Sequence, residues 1–338
     1  MTFCLFEHTA PGPACQPIIS ILPHCKGAPP VLCLGKKERG PEPVIFVRPD
    51  FYDDFACIAS RCRHSCCVGW EIDIDSDALA RWETIGGALG EKMRRSIARE
   101  PAPHFVLTKG ERCPLLRADG LCELILSEGE DSLCDICASH PRFYQEYPDR
   151  LEAGLGLCCE EAVRLLLAET GPLRLTADGD EGDALSPTPL LRQRGKLLAI
   201  LADEAACLSD RMACCLSRYG RVLTPFDPRA AADFLLTLER MDEAWTALLQ
   251  RLAAEGTAEL EPQLSEAPYG RLAAYFLYRH FAAGGEEEAG ARLTFALFAA
   301  RLLCAMAAYA PLEDAVRLFS AEIEYSDENV EKLLNWLA

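Results

Sequence analysis

No stretch of this chain reaches the roughly 20 consecutive apolar residues that a membrane-spanning helix requires, so no membrane partner is expected. Positive charge is scarce: 34 Lys and Arg face 52 Asp and Glu, for a formal net charge of -18. Phosphate backbones are neutralised by clustered Lys and Arg, so nucleic acid is not expected as a partner either. The same acidity serves plain solubility, and it also suits a lysine-bearing partner. The opening residues MTFCLFEHTAPGPACQP lack a basic segment followed by a long apolar one. They do not read as a secretion signal, and a cytoplasmic location is expected. No repeat of fixed period stands out. A Gly-x-Gly-x-x-Gly loop after a convincing strand is also missing, and Gly154-Leu155-Gly156 reads as a turn.

What the chain has in excess is cysteine, 18 residues of it. A short secreted protein would use them for disulfides. A long chain in a reducing compartment points instead to metal or redox chemistry. Residues 1–43 are rich in Pro and Gly, carry Cys4, Cys15, Cys25 and Cys33 as incidental thiols, and are read as a poorly ordered extension. Residues 44–170 form the cysteine-rich region, and the acidic, Gly- and Pro-containing stretch 171–190 reads as a linker. Residues 191–338 carry helical periodicity. Phe234, Leu238, Met241, Trp245, Leu248 and Leu252 recur every three or four positions, as the apolar face of one helix does. Further helices are expected over 191–217, 269–283, 290–310, 312–323 and 327–337. The expected fold class is mainly α: a cysteine-rich metal-binding N-terminal module with few short strands, followed by an α-helical bundle.

Ten cysteines fall in three groups: Cys57, Cys62, Cys66 and Cys67, then Cys113, Cys122, Cys134 and Cys137, then Cys158 and Cys159. A C-x2-C pair on a tight loop brings two thiolates to one metal, and distant pairs complete the coordination. Ten thiols would fill two four-ligand sites, and Cys62, Cys66, Cys113, Cys122, Cys134 and Cys137 are the first candidates. Tetrahedral thiolate sites suit zinc and iron–sulfur clusters alike, so the metal stays open. Adjacent cysteines diverge, so one of each neighbouring pair is a packing residue or serves a second site. Cys207, Cys214, Cys215 and Cys304 are read as small core residues.

The segments FYDDFACIASRCRHSCCVGWEIDID, CPLLRADGLCELI, LCDICASHPRFY and GLGLCCEEAVRLLL resemble, in this order, the flagellin lysine-N-methylase family and its shorter cysteine-cluster relatives. LAAYFLYRHF (Leu272–Phe281) and EIEYSDENVEKLL are similar to the longer methylases. The resemblance implies methylation of flagellin lysines with S-adenosylmethionine as cofactor and a cysteine-bound [4Fe–4S] cluster. Zinc is the alternative metal, and a non-catalytic protein binding zinc or iron is the alternative function. The C-x3-C-x2-C loop of radical S-adenosylmethionine enzymes is absent: Cys62 and Cys66 have the first spacing, but Gly69 stands where the third thiol belongs.

A lysine amine, with a reference pKa of about 10.4, must lose its proton before it accepts a methyl group. The site should therefore desolvate the amine or offer it a base. Trp70, Glu71, Asp73 and Asp75 form one candidate for this, and Tyr275, Tyr278 and His280 another. Of these, Tyr275, Tyr278 and Asp73 are assigned to catalysis. Glu71, Asp73 and Asp75 alternate with Ile72 and Ile74, which a half-exposed strand also does; Tyr275 and Tyr278 share a helix face, which core residues also do. His140 is either a neighbour of the cysteines or a surface histidine. Arg142, a donor to carboxylate or sulfur, and Trp70 are assigned to cofactor binding.

Overall fold

The first strand, β1 (Ile45–Pro49), lies in the middle of a four-stranded sheet whose other members come from much later in the chain. The computed structural model describes residues 45–148, 150–178, 188–257 and 267–338. The extension expected over 1–43 and residues 179–187 of the expected linker lie outside the described residues. β4 (Arg142–Tyr147) and β5 (Arg150–Leu155) form a hairpin, β5 runs parallel to β1, and β6 (Leu175–Asp178) pairs antiparallel on the other side of β1. Every residue of β5 is buried, and its alternation sends Leu151, Ala153 and Leu155 to one face and Arg150 and Glu152 to the other. A minimal ribbon, β2 (Ile97–Ala98) with β3 (His104–Phe105), stands apart.

Four short helices, α1 (Ser76–Glu83), α2 (Gly87–Arg95), α3 (Glu123–Glu128) and α4 (Asp135–Ser139), surround a small second core that includes Ile72, Trp82, Met93, Phe105 and Leu124. Asp75 organises it. One carboxylate oxygen accepts from Ala78 N at 2.7 Å, capping α1, and the other accepts from Asp135 N at 2.8 Å, fixing α4. This region is not the metal-binding module expected from the sequence. Among the described residues no group of three or more His, Cys, Asp or Glu is arranged to hold a metal ion.

The remaining helices are α5 (Glu160–Ala168), α6 (Pro189–Leu201), α7 (Leu208–Ser217), α8 (Pro228–Leu235), α9 (Glu243–Glu255), α10 (Ala267–His280), α11 (Ala289–Met306), α12 (Leu312–Phe319) and α13 (Asp327–Leu337). They make the fold mainly α-helical with few short strands. One apolar core runs from Phe46 and Leu155 in the sheet through to Leu333 in α13. Two expected helices are each divided. The 191–217 stretch breaks between α6 and α7, where Asp203 accepts from Ala205 N at 3.2 Å and turns the chain. The amphipathic stretch containing Trp245 breaks between α8 and α9. There Arg240 donates to Leu238 O at 2.8 Å, Asp242 caps α9, and Glu322 accepts from Met241 N and Asp242 N at 3.0 and 2.7 Å. Met241, expected on the apolar face, is consequently 68% exposed.

α11 is long and apolar enough by length and composition to cross a bilayer, but 78% of it is buried inside the fold. Its Phe295 packs edge-on to Phe276 and His280 of α10. α10 is buried along most of its length and still carries Arg271, Tyr275, Tyr278, Arg279 and His280. Arg271 grips Asp50 at 2.9 Å and the carbonyls of Leu166, Gly171 and Pro172 at 3.0–3.2 Å. His280 Nε2 and Arg279 Nε meet Glu324 Oε1 at 2.6 and 3.4 Å. A single π-helical turn, Ser320–Glu324, carries Glu322 and Glu324 inward.

Two expectations test this framework. Asp75→Ala removes a helix cap and a second backbone acceptor together, so it should lower unfolding stability by about 1–2 kcal/mol in urea titration. Glu324→Gln strips the carboxylate from two buried bases and should cost about 3–5 kcal/mol by the same measurement. Acidification should act in the same sense. Burial lowers the His280 pKa below its ordinary 6.5, so the unfolded chain takes up its proton first and stability falls as pH drops through that value. Burial opposes the charge of Glu324, yet Arg279 and the His280 hydrogen bond hold its pKa below the ordinary 4.5. Its contribution, present above that value, is lost on further acidification. Urea midpoints rising on acidification below pH 6.5 would contradict both assignments.

Candidate functional site

The three cysteine stretches do come together in space, because backbone and carboxylate contacts draw them there. The 57–64 segment docks on the start of α5. Glu160 accepts from Arg63 N and His64 N at 3.1 and 3.2 Å and contacts His64 Nδ1 at 2.8 Å. Arg63 also reaches Asp314 of α12 at 3.2 Å. The 65–70 segment pairs with 108–113: Cys113 N donates to Cys67 O at 2.8 Å and Gly69 N donates to Glu111 O at 2.9 Å. Gly69 stands at φ +93°, a backbone conformation that side-chain-bearing residues rarely adopt.

The sulfurs nevertheless do not make the expected metal ligand set. Cys57, Cys62, Cys66, Cys67, Cys113, Cys122, Cys134, Cys137, Cys158 and Cys159 are all free thiols, and no three donors are arranged to hold a metal among the described residues. The physical reason is that several of these thiols are taken up by packing and by hydrogen bonds of their own. Cys113 and Cys134, 6% and 1% exposed, pack in the second core. Cys57 accepts from Ala59 N at 3.4 Å, and Cys62 donates to His64 O at 3.3 Å. Cys66 and Cys67 hydrogen-bond to each other, as do Cys134 and Cys137, and in each pair one thiol is held down in pKa and the other pushed up. The expected [4Fe–4S] cluster is corrected accordingly, and with it zinc, the iron–sulfur-dependent reaction and the metal-binding alternative.

S-adenosylmethionine fares no better as a cofactor read from the fold. Among the described residues, the strand-to-helix connection that carries paired glycines, from β5 into α5, is filled by the chain itself. A Cβ on Gly154 would run into the Phe143 ring, and one on Gly156 into the Tyr325 hydroxyl. Gly154 closes the end of β5 against β4, where it pairs with Phe143, so the segment offers no open cradle.

The residues assigned to catalysis and cofactor binding occupy three separate places. Tyr275 and Tyr278 are fully buried, their hydroxyls donating to Leu155 O at 2.8 Å and Ala153 O at 2.9 Å. Arg142 lies over the rings of Tyr52 and Phe55, with its guanidinium carbon 5.8 and 5.1 Å from their centroids. Trp70 and Asp73 are at the surface. Trp70 is 36% exposed, its indole N–H donates to Cys66 O at 2.8 Å, and its ring lies 6.3 Å from that of His140. Burial pushes the His140 imidazole down to about 4, so it is neutral at physiological pH. Glu71 and Asp73 are exposed while Ile72 and Ile74 are buried, and Asp73 bridges to His104 in place of a full strand. Trp70, Glu71 and Asp73 are thus three exposed side chains on one short stretch of chain, and an indole and a carboxylate each attract a cation.

The contact that sequence reasoning missed is the pairing of Arg279 and His280 with Glu324. Forty-four residues separate His280 from Glu324, and only charged residues inside an apolar helix pattern could have signalled it. A cleft of about 340 Å³ lies elsewhere, bordered by Leu201, Cys207, Arg211, Gly270 and Arg271. It shares no residue with the Trp70 surface.

No protein-family model matches the chain, and no solved structure gives a significant match. Among curated proteins, a lysine-N-methylase of Salmonella choleraesuis is 27% identical over 180 residues, covering 49% of this chain and 42% of that protein. A lysine-N-methylase of Salmonella typhimurium gives the same identity and coverage. The flagellar biosynthetic protein FliU of Salmonella muenchen is 27% identical over 146 residues, 39% of this chain and 82% of its own length. The match thus spans less than half the length of the methylases. The chain is a distant relative of the bacterial lysine-N-methylase and FliU proteins.

Proposed function

We propose that this protein is a methyltransferase that N-methylates lysine side chains of a flagellin-related protein. The observation that carries the reading is the similarity to two lysine-N-methylases, with FliU supplying the flagellar connection. The Trp70 surface supports it on chemical grounds. A lysine ammonium approaching Glu71 and Asp73 gains their negative charge, and the Trp70 ring offers it a π face. The stem of the lysine packs on the same indole, as amphipathic side chains do.

Transfer itself needs the neutral amine. The ammonium gives its proton to solvent, and the nitrogen lone pair attacks the methyl carbon of an electrophilic donor. The donor's leaving group departs with the electrons of the broken bond. Asp73 and Trp70 would position the amine for this step, and the neutral His140 ring behind Trp70 adds no competing positive charge.

Two measurements test the reading. Flagellin purified from the native host should carry methylated lysines by mass spectrometry and should lose them when the gene is deleted. Unchanged methylation after deletion would sink the proposal. Complementing the deletion with Trp70→Ala should lower methyl occupancy as expected from a loss of about 0.5–2 kcal/mol of cation–π contact, or roughly 2- to 30-fold in rate. Asp73→Asn should give a smaller, salt-sensitive loss. Full methylation by both variants would move the lysine site away from this surface.

A further inference from the structure

The cleft of about 340 Å³ lies where the turn from α6 into α7 meets the start of α10 and the Gly171–Pro172 stretch. Two arginines and one glutamate border it, Arg211, Arg271 and Glu204. Arg271 has nothing left to offer a ligand. Its guanidinium is buried and is taken up by both oxygens of Asp50 and by the carbonyls of Leu166, Gly171 and Pro172. Arg211 and Glu204 are different, since neither joins an ion pair among the described residues and Glu204 is exposed. The charges available to the cleft are therefore one cation and one carboxylate.

Arg211 is held in place for a task that its helix does not supply. It stands in the first turn of α7, where the amide end of the helix is already positive, so a cation gains nothing there from the macrodipole. Asp210, the acidic residue of that turn, does not border the cleft. Arg211 Nη1 donates to Leu201 O, which fixes the guanidinium against the end of α6. Across from it Gly270 sits in α10, and a Cβ there would meet nothing nearer than Arg211 Nη1, at 3.9 Å. That is an ordinary contact, so alanine would fit and would favour the helix more than glycine does. Packing within the chain does not ask for glycine at 270. What the missing side chain leaves is room beside the guanidinium.

Charge then selects the ligand. A simple anion drawn to Arg211 would meet Glu204, and a simple cation drawn to Glu204 would meet Arg211. A molecule that carries a carboxylate and an ammonium on one carbon suits both. The volume is at the lower end for small-molecule sites, and Ala205, Ala206 and Ala267 give a shallow apolar wall, which fits a short aliphatic side chain. We propose that this cleft binds a free aliphatic α-amino acid, with Arg211 on its carboxylate, Glu204 on its ammonium and the three alanines against its side chain. The site shares no residue with the Trp70 surface, and the inference is independent of the lysine-methylation reading.

The test is calorimetric titration of the full chain near neutral pH with three probes: L-valine, isovalerate, which lacks the amino group, and isobutylamine, which lacks the carboxylate. Valine should bind saturably at one site per chain. Each analogue should bind at least about 10-fold more weakly, as expected for the loss of a hydrogen bond to a charged group. Glu204→Gln changes an exposed side chain, so it should melt as the wild type does, lose about 10-fold in valine affinity and bind isovalerate no more weakly than before. Arg211→Gln should weaken valine and isovalerate and spare isobutylamine. The Glu204→Gln titration decides the matter should loss of the Leu201 contact unfold the Arg211 variant. No saturable binding of valine, equal affinity for the three probes, or wild-type valine affinity in Glu204→Gln would overturn the proposal.

Discussion

The structure depends on one constraint, the need to satisfy every polar group carried by the buried helix α10. An apolar helix could slide against its neighbours, but α10 brings two arginines, three tyrosines and a histidine into the interior, and each must find a partner there. The partners are supplied by distant stretches. Arg271 takes Asp50 and three carbonyls between Leu166 and Pro172, Tyr275 takes Leu155 O, and Tyr278 takes Ala153 O. Gln145 Nε2 in turn donates to Arg279 O at 2.6 Å. The hydroxyls of α10 thus read the carbonyls of β5, and the sheet cannot shift by one residue without orphaning them. This explains why the first strand, the β4–β5 hairpin and the C-terminal helices share one core. Beside this, removing a single member leaves a buried charge or donor without its counterpart, which is costlier than the pair is stabilising.

Much of this arrangement was legible in the sequence, but unevenly. Helical periodicity located the α9, α10, α11, α12 and α13 regions because each has to bury a stripe of apolar residues. The alternation of Ile72 and Ile74 with acidic neighbours correctly signalled a half-exposed extended segment. The breaks after α6 and α8 were hidden, because apolar spacing continues through them and the stop comes from side chains elsewhere. Glu322, on the π-turn, holds the amides that start α9. No local pattern encodes a contact across eighty residues. The Glu324 pairing was hidden for the same reason. Tyr275 and Tyr278 were seen to share a face, but periodicity cannot say that the face would meet strand carbonyls rather than a ligand.

Cysteine spacing illustrates the difference between proximity and coordination. Spacing says which thiols can be close, and the stretches around Cys67, Cys113 and Cys158 are indeed drawn together by Glu160 and by the 65–70 pairing with 108–113. Coordination needs more, since several sulfurs must converge on one point with no apolar side chain between them. Here the second core competes for the same sulfurs. Cys113 and Cys134 are packed with Trp82 and Phe105, whose rings stack at 5.5 Å, and the sulfurs fill the space around them as small hydrophobes do.

The Trp70 surface is built on this thiol-bearing segment. Trp70 does not sit on a free loop: its indole N–H is tied to Cys66 O, and Gly69 at positive φ turns the chain so that the ring faces His140. The orientation of the indole is therefore set by the backbone at Cys66, one residue from the Cys67 carbonyl that accepts from Cys113 N. Downstream, Asp75 anchors the same strip to α1 and α4 through two backbone amides. A strip held at both ends presents Glu71 and Asp73 outward at little entropic cost, because Ile72 and Ile74 have already buried the opposite side. A recognition surface for a cationic side chain needs such pre-ordering, since exposed carboxylates on a mobile loop would lose in ordering most of what they gain in charge.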